Sequence, residues 1–375
     1  MIPFNRPCWV GNEADLIAEA FASQSIAGDG PFGKKVQILL EKQLGIQKAL
    51  LTTSCTHALE MAAMLLNLQP KDEIIVPSYG FVTTALAFVM QGAKPVFADI
   101  RPDTLNIDET KLEQLITART RAIVLIHYAG VGCEMDAIME IAKQHNLVVI
   151  EDNAHGLYGK YREKYLGTFG TLAAQSFHET KNITCGEGGA LLINETSYVE
   201  RAEIIREKGT NRSQFFRGQV DKYTWIDKGS SYVMSDILAA FLYAQITQKD
   251  EIQSKRKIIW EYYNQHLQDW ATQNNVCLPT IPEHCESAYH AFYLLMPSLN
   301  VRTHFIKYLK ENGISAVFHY LPLHKSEMGR KLGGKQYHCP VTEDISDRLV
   351  RLPFFNDISK KELVVVIEAI QHYAV

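Results

Sequence analysis

The sequence predicts an α/β protein: a large, mostly parallel sheet of seven strands flanked by helices, followed by a smaller α+β domain. Seven short apolar runs between about residues 48 and 195 alternate with amphipathic stretches, the pattern of strands covered on both faces. After about residue 196 the pattern turns helical. A chain of 375 residues also exceeds one small core, so two domains are expected, 1–245 with an N-terminal arm and the sheet, and 246–375.

Taken in order, 49–52 reads as the first strand and 56–66 as a helix with Ser54 as its N-cap. Further strands are expected at 73–76, 95–100, 122–127, 147–151, 173–178 and 189–194. Between two of these, 134–145 places Met135, Ile138, Met139, Ile141 and Ala142 at helical spacing. The stretch 236–257 reads as one long connecting helix. Beyond it, strands are expected at 288–296 and 315–320, and helices at 303–312 (ended by Gly313 at C′) and 362–373.

Composition narrows the function. Hydrophobic residues make up 46% and charged residues 21%, ordinary for a soluble globular chain. The net charge of −4 and a pI near 6.4 argue against a nucleic-acid binder. Seven scattered cysteines with no CxxC pair indicate neither a zinc site nor a disulfide framework, so no metal is expected and the thiols read as reduced. The opening MIPFNRPCWVGNEADL has no apolar core or small-residue cleavage site, and no 18 apolar residues run together. A cytoplasmic address with no membrane partner is therefore expected.

In open α/β sheets ligands bind at the carboxyl ends of the strands. After 49–52 comes Thr53-Ser54-Cys55-Thr56, small residues opening a helix whose first amides suit a phosphate, or which serve only as a cap. Glu151 and Asp152 follow another strand, either capping the next turn or holding a ligand cation. After 173–177 come His178-Glu179-Thr180-Lys181 and then Gly186-Glu187-Gly188-Gly189. A Schiff-base lysine, a carboxylate for a pyridinium nitrogen and a phosphate cradle are together the parts needed to bind pyridoxal phosphate.

Asp152-Asn153-Ala154-His155, Ser176-Phe177-His178-Glu179-Thr180-Lys181-Asn182 and Gly186-Glu187-Gly188-Gly189 resemble the DegT/DnrJ/EryC1/StrS family of sugar aminotransferases. The resemblance runs from Ile26-Ala27-Gly28-Asp29-Gly30-Pro31 to Arg351-Leu352-Pro353. It implies a fold-type-I transferase with pyridoxal 5′-phosphate covalently bound to Lys181. Asp152 is implied as the partner of the pyridinium nitrogen, His155 as a neighbour of the phenolic oxygen, and Phe81 as the aromatic stacked on the ring. Ser176 and the amides of Cys55 and Thr56 are implied as phosphate ligands. Glu179, Gly229-Ser230-Ser231-Tyr232 and 206–225 are similar to the branch that aminates C4 of TDP-4-keto-6-deoxy-D-glucose. That branch implies L-glutamate as donor, TDP-4-amino-4,6-dideoxy-D-galactose as product, cell-surface polysaccharide as its destination, and a homodimer.

Two departures stand out. Relatives commonly carry Gly-x-Asn-Tyr-Arg where this chain has Gly229-Ser230-Ser231-Tyr232-Val233, so the shorter Ser231 occupies the place of an Asn that reaches the neighbouring subunit's cofactor phosphate. Lys181, in contrast, is not the His of the family's dehydratase branch, which favours transamination. For the substrate, the basic stretch 201–222 reads as a nucleotide-diphosphate clamp or as a solvated surface, with Arg217, Lys222 and Tyr223 as its candidates. His319 and His324 are candidate substrate contacts from the second domain. Amination at C3, an equatorial 4-amine, or a non-catalytic cofactor-binding regulator are the rival readings.

Overall fold

The structure, a computed structural model, describes residues 1–374. Two helices, α1 (Glu13–Ala22) and α2 (Pro31–Leu44), precede β1 (Lys48–Thr52), α3 (Cys55–Leu65), β2 (Glu73–Pro77), α4 (Thr83–Val89) and β3 (Lys94–Ala98). There follow β4 (Thr120–Ile126), α5 (Met135–Gln144), β5 (Val148–Asp152), a small hairpin β6 (Lys160–Tyr161) and β7 (Lys164–Tyr165), then β8 (Leu172–Ser176) and β9 (Gly189–Ile193). All seven expected strands form one sheet, in the order β1-β9-β8-β5-β4-β2-β3. The pairs β2/β3, β2/β4, β4/β5 and β5/β8 are parallel, and β9 runs antiparallel to both β1 and β8. The strands are almost wholly buried because helices cover both faces.

The reversed β9 matters for the site. Its start and the end of β8 lie on the same sheet edge, so the 177–188 loop, with Lys181, stays there. Register aligns Thr52, Gly189 and Ser176 across that edge, and Asp152 opposite Ile126 and Ala174. Gly189 is needed for close approach: a Cβ there would lie 2.4 Å from the Ser54 carbonyl carbon.

Beyond the sheet come α6 (Val199–Arg206), the short α7 (Arg212–Phe216), α8 (Asp236–Thr247) and α9 (Lys249–Gln273). The single helix expected over 236–257 is therefore two, broken at Gln248 (φ −108°, ψ 19°). α8 and the start of α9, through Ile252, serve one core and the rest of α9 serves another. Ala239, Ala240, Leu242 and Ile246 pack with α2 residues such as Phe32 and Leu40, whereas Ile259, Trp260, Tyr263 and Leu267 pack with Phe292, Phe305 and Val366. No proline or glycine marks the break, so local propensity does not announce it.

The C-terminal part contains β10 (Cys285–Glu286), β11 (Tyr293–Leu295), α10 (Leu299–Glu311), α11 (Glu327–Lys331), α12 (Pro340–Arg348), β12 (Leu349–Arg351) and α13 (Lys360–Gln371). The expected strand at 288–296 shrinks to β11, paired with β12. The expected strand at 315–320 does not form: Val317 alone bridges to Arg351, and 318–321 turns to line a cavity. Ile2 also joins this second core, bridging to Ile314, so the chain's first residues tie the two cores together.

Candidate active site

A cavity of about 520 Å3 opens at the sheet edge where the sequence places the chemistry. Lys181, Asp152, His155, Ser176, Cys55, Thr56, Phe81 and His319 all line it. Strand ends supply Asp152 and Ser176, and α3 points its N-terminus inward. Ser54 caps that helix, its hydroxyl accepting from the His57 amide at 3.1 Å. The amides of Cys55 and Thr56, in the first turn, have no intrahelical acceptor and provide an anion site.

Asp152 is held from two sides. Its Oδ2 accepts from the Thr84 hydroxyl at 2.6 Å and its Oδ1 from the Ala154 amide at 3.2 Å. Burial raises its pKa above the usual carboxylate range, with the Thr84 and Ala154 hydrogen bonds and the Lys181 charge opposing. The neighbouring Glu151 faces the other way and is structural. It takes amide hydrogen bonds from Gly167, Phe169 and Gly170 and pairs with His127 at 2.8 Å. Strand alternation thus separates two adjacent acids that position at a strand end alone left equivalent, on the side the resemblance implies for Asp152.

Lys181 is desolvated in the cavity wall, which pushes its pKa down to about 8, although the nearby Cys55 and Asp152 pull it upward. His155 stacks on His290, ring centroids 4.0 Å apart and planes within 14°. Burial, followed by the Lys181 charge, pushes the His155 pKa well below the ordinary value, so its ring is neutral. Its buried Nδ1 has no hydrogen-bond partner among the described residues. His290 in turn donates from Nδ1 to Asn182 Oδ1 at 3.0 Å, since Asn182 Nδ2 is committed to the Ala288 carbonyl at 2.6 Å. The Tyr128 hydroxyl and His319 Nδ1 are hydrogen-bonded at 3.1 Å, and burial pushes the His319 pKa well down, so its ring is neutral.

The remaining sequence candidates lie elsewhere. His324 is corrected to a structural role: it is buried, does not line the cavity, and spends Nδ1 on the Ser78 hydroxyl (2.6 Å) and Nε2 on Glu343 (3.0 Å). Ser231 and Arg217 line a second cavity of about 880 Å3, with Asp29, Arg206 and Lys208, rather than the first. Arg217 pairs there with Glu203 at 2.8 Å. Lys222 and Tyr223 line neither cavity and are exposed on the surface of the chain. Ser231 was expected to stand near the neighbouring subunit's cofactor, and none of these four lines the Lys181 cavity of its own chain. Conversely, Thr84 and His290 escaped sequence reading, because each comes from a segment distant in sequence with no motif of its own, and Tyr320 and Arg351 were read only as parts of motifs.

The sequence profile of the DegT/DnrJ/EryC1/StrS aminotransferase family matches residues 7–371. The chain belongs to that family. The uncharacterized protein MJ1066 of Methanocaldococcus jannaschii is 34% identical over 99% of this chain and 97% of its own length. Among solved structures, Spr1654 of Streptococcus pneumoniae in its PLP-form superimposes with a TM-score of 0.90 at 25% identity, covering 99% of this chain and 97% of that one. PseC of Helicobacter pylori, an aminotransferase of pseudoaminic acid biosynthesis, gives a TM-score of 0.88 at 25% identity over 98% of each chain. The DegT/DnrJ/EryC1/StrS fold is a fold-type-I transferase with a large, mostly parallel seven-stranded sheet, as found here. This chain is accordingly an aminotransferase of a pyridoxal-phosphate-dependent family that acts on sugars. No helix among the described residues is long and apolar enough to cross a membrane.

The residues present fit that cofactor. An orphaned His155 Nδ1, a fixed carboxylate on Asp152, a desolvated amine on Lys181 and the open helix start of α3 converge on one cavity.

Proposed function

We propose that this aminotransferase moves the amino group of L-glutamate to C4 of TDP-4-keto-6-deoxy-D-glucose, giving TDP-4-amino-4,6-dideoxy-D-galactose for cell-surface polysaccharide in the cytoplasm. The observation that carries the reaction type is the convergence of Lys181, Asp152, His155, Ser176 and the α3 N-terminus on one cavity. The choice of sugar is supported by the similarity of Glu179, 206–225 and 229–232 to the C4-aminating branch.

When bound, pyridoxal phosphate supplies an electron sink for the pair released as a substrate carbon–hydrogen bond breaks. The chain's own groups do the rest. Lys181 is the residue that would hold the cofactor covalently. The burial that pushes its pKa down to about 8 favours the neutral amine, able to act as nucleophile or base. Released from the cofactor, Lys181 Nζ takes a proton from one carbon and returns it to another, and the face it occupies sets the configuration of the new amine. Asp152, oriented by Thr84 and Ala154, would hold the proton on the ring nitrogen. His155 Nδ1 would meet the phenolic oxygen, and Ser176 with the Cys55 and Thr56 amides the phosphate. Phe81, 54% exposed at the mouth, would cover the ring.

A homodimer belongs to the same proposal. Arg217, Lys222, Tyr223 and Ser231 stand outside their own chain's cavity, and Phe216, Trp225 and Ile226 beside them are exposed apolar side chains. A second copy would cover that surface and bring those residues to a site.

Proton NMR of the product from TDP-4-keto-6-deoxyglucose and L-glutamate tests the reading. An axial nitrogen at C4 is expected. An equatorial amine, or turnover only with a 3-keto sugar, would replace the substrate while leaving the transaminase chemistry standing.

A further inference from the structure

We propose that Arg351 is the donor-recognition residue of this site, its guanidinium binding the α-carboxylate of the incoming amino acid. The proposal rests on the donor assignment above. Arg351 ends β12, its backbone pinned on both sides: it pairs with Tyr293 in β11 and exchanges hydrogen bonds with Val317 at 2.7 and 3.2 Å. The side chain leaves this frame to line the cavity shared by Lys181 and Asp152, with its guanidinium 5.0 Å from the Phe4 ring.

Its electrostatic position is unusual. Among the described residues no carboxylate lies within salt-bridge distance of it, and its Nε is buried without a hydrogen-bond partner. A guanidinium left in that state is costly unless a ligand completes it, and a planar carboxylate matches its fork with two parallel N–H···O bonds. Burial is the largest cause of the depressed pKa values of Lys181, His155, His290 and His319, and the Arg351 charge adds to each. Its positive charge is therefore felt throughout the cavity.

The charge inventory decides which anion it serves. Among the described residues Lys181 and Arg351 are the only lysine or arginine lining the cavity, and Lys181 is committed to the cofactor. The amino acid must bring its amine to the place Lys181 leaves, and its α-carboxylate is one bond away on the same carbon. The keto-sugar carries no charge at its reacting ring; its diphosphate is the alternative source of an oxyanion.

The test uses the cofactor-loaded enzyme, Arg351→Met, Arg351→Lys, and amine donors that differ in one carboxylate. Reaction of each donor is followed by loss of the cofactor's absorption band, and α-methyl-L-glutamate, which has no proton to lose, reports binding alone. Losing a bidentate charged contact, Arg351→Met should weaken L-glutamate, α-methyl-L-glutamate and L-2-aminobutyrate about 100-fold, with Arg351→Lys intermediate. The variant should match the parent with 4-aminobutyrate, which lacks the α-carboxylate; that match also shows the variant is folded. Equal weakening with 4-aminobutyrate, or none with L-glutamate, overturns the proposal while the donor assignment stands. A defect confined to the keto-sugar half-reaction assigns Arg351 to the diphosphate and overturns it too. A parent enzyme whose band none of these donors changes removes the donor assignment itself, and the proposal with it.

Discussion

Lys181 shows how a reactive group costs stability. An ordinary lysine in the unfolded chain titrates near 10.5, and burial in the cavity wall pushes the folded value down to about 8. Between those values the unfolded state binds more protons, so the cofactor-free protein gains stability as pH rises from about 8 to 10.5. Below that window the penalty is fully present, on the order of 1–3 kcal/mol. Lys181→Met should therefore melt at a higher temperature than the parent at about pH 7, with the gap closing near pH 10.5, in scanning calorimetry of the cofactor-free proteins. A gap of the same size at both ends would show that the charge is not its cause. Lys181→Ala should still bind pyridoxal phosphate but not transaminate; turnover within a few-fold of the parent would remove the residue from its proposed role.

At the scale of elements, the site depends on how closely two segments approach at the sheet edge. The antiparallel β9 begins at Gly189 against the backbone of Ser54 and Cys55, where a Cβ would lie 2.4 and 2.5 Å from main-chain atoms. Gly189→Ala must push β9 or the α3 start aside, at about 1–3 kcal/mol. It should lower the melting temperature and weaken cofactor binding together, read by calorimetry and by fluorescence titration with pyridoxal phosphate. Parent-like cofactor affinity would mean that the α3 start does not hold the phosphate. Gly186 offers a contrast: nothing lies within 4 Å of its missing side chain, and its φ of +85° alone favours glycine. A second structural link is Arg256 on α9, whose guanidinium binds the Tyr289 and His290 carbonyls at 2.9 and 2.7 Å and Asn356 at 2.9 Å. Arg256→Met should destabilise the fold by about 2–4 kcal/mol in urea denaturation, since it leaves those acceptors buried and unpaired.

For the whole molecule, the arrangement of candidates predicts an assembly. Light scattering should give twice the 42.4 kDa chain mass. Mixing inactive Lys181→Ala with a Lys222→Glu, Tyr223→Ala variant inactivated outside the cavity should restore up to about a quarter of parent activity, since one of two composite sites in half of the mixed dimers' population is then intact. No recovery after confirmed subunit exchange would place Lys222 and Tyr223 outside any shared site. The two cores of the chain meet within α9, between Ile252 and Ile259, and we propose the break at Gln248 just before them as the domain junction in place of 245, with Ile2 crossing back to the second core.

Seven apolar runs, the Ser54 cap and the polar residues at strand ends were legible in the linear chain, because strand burial, helix periodicity and capping are local and depend on residue spacing. Asp152 and Lys181 were legible because one stands at a strand end and the other in the loop after a strand, whereas Ser176 was implied only by the family resemblance. Tertiary structure alone decided the rest. It separated Glu151 from Asp152 by the side of the sheet each faces. It turned His324 into a buried link between Ser78 and Glu343, and it broke the 236–257 helix at Gln248. It also brought His290 and Arg351 to the cavity of Asp152 and set Thr84 behind that carboxylate, a convergence across more than 260 residues of chain that depends on long-range packing and leaves no trace in local spacing.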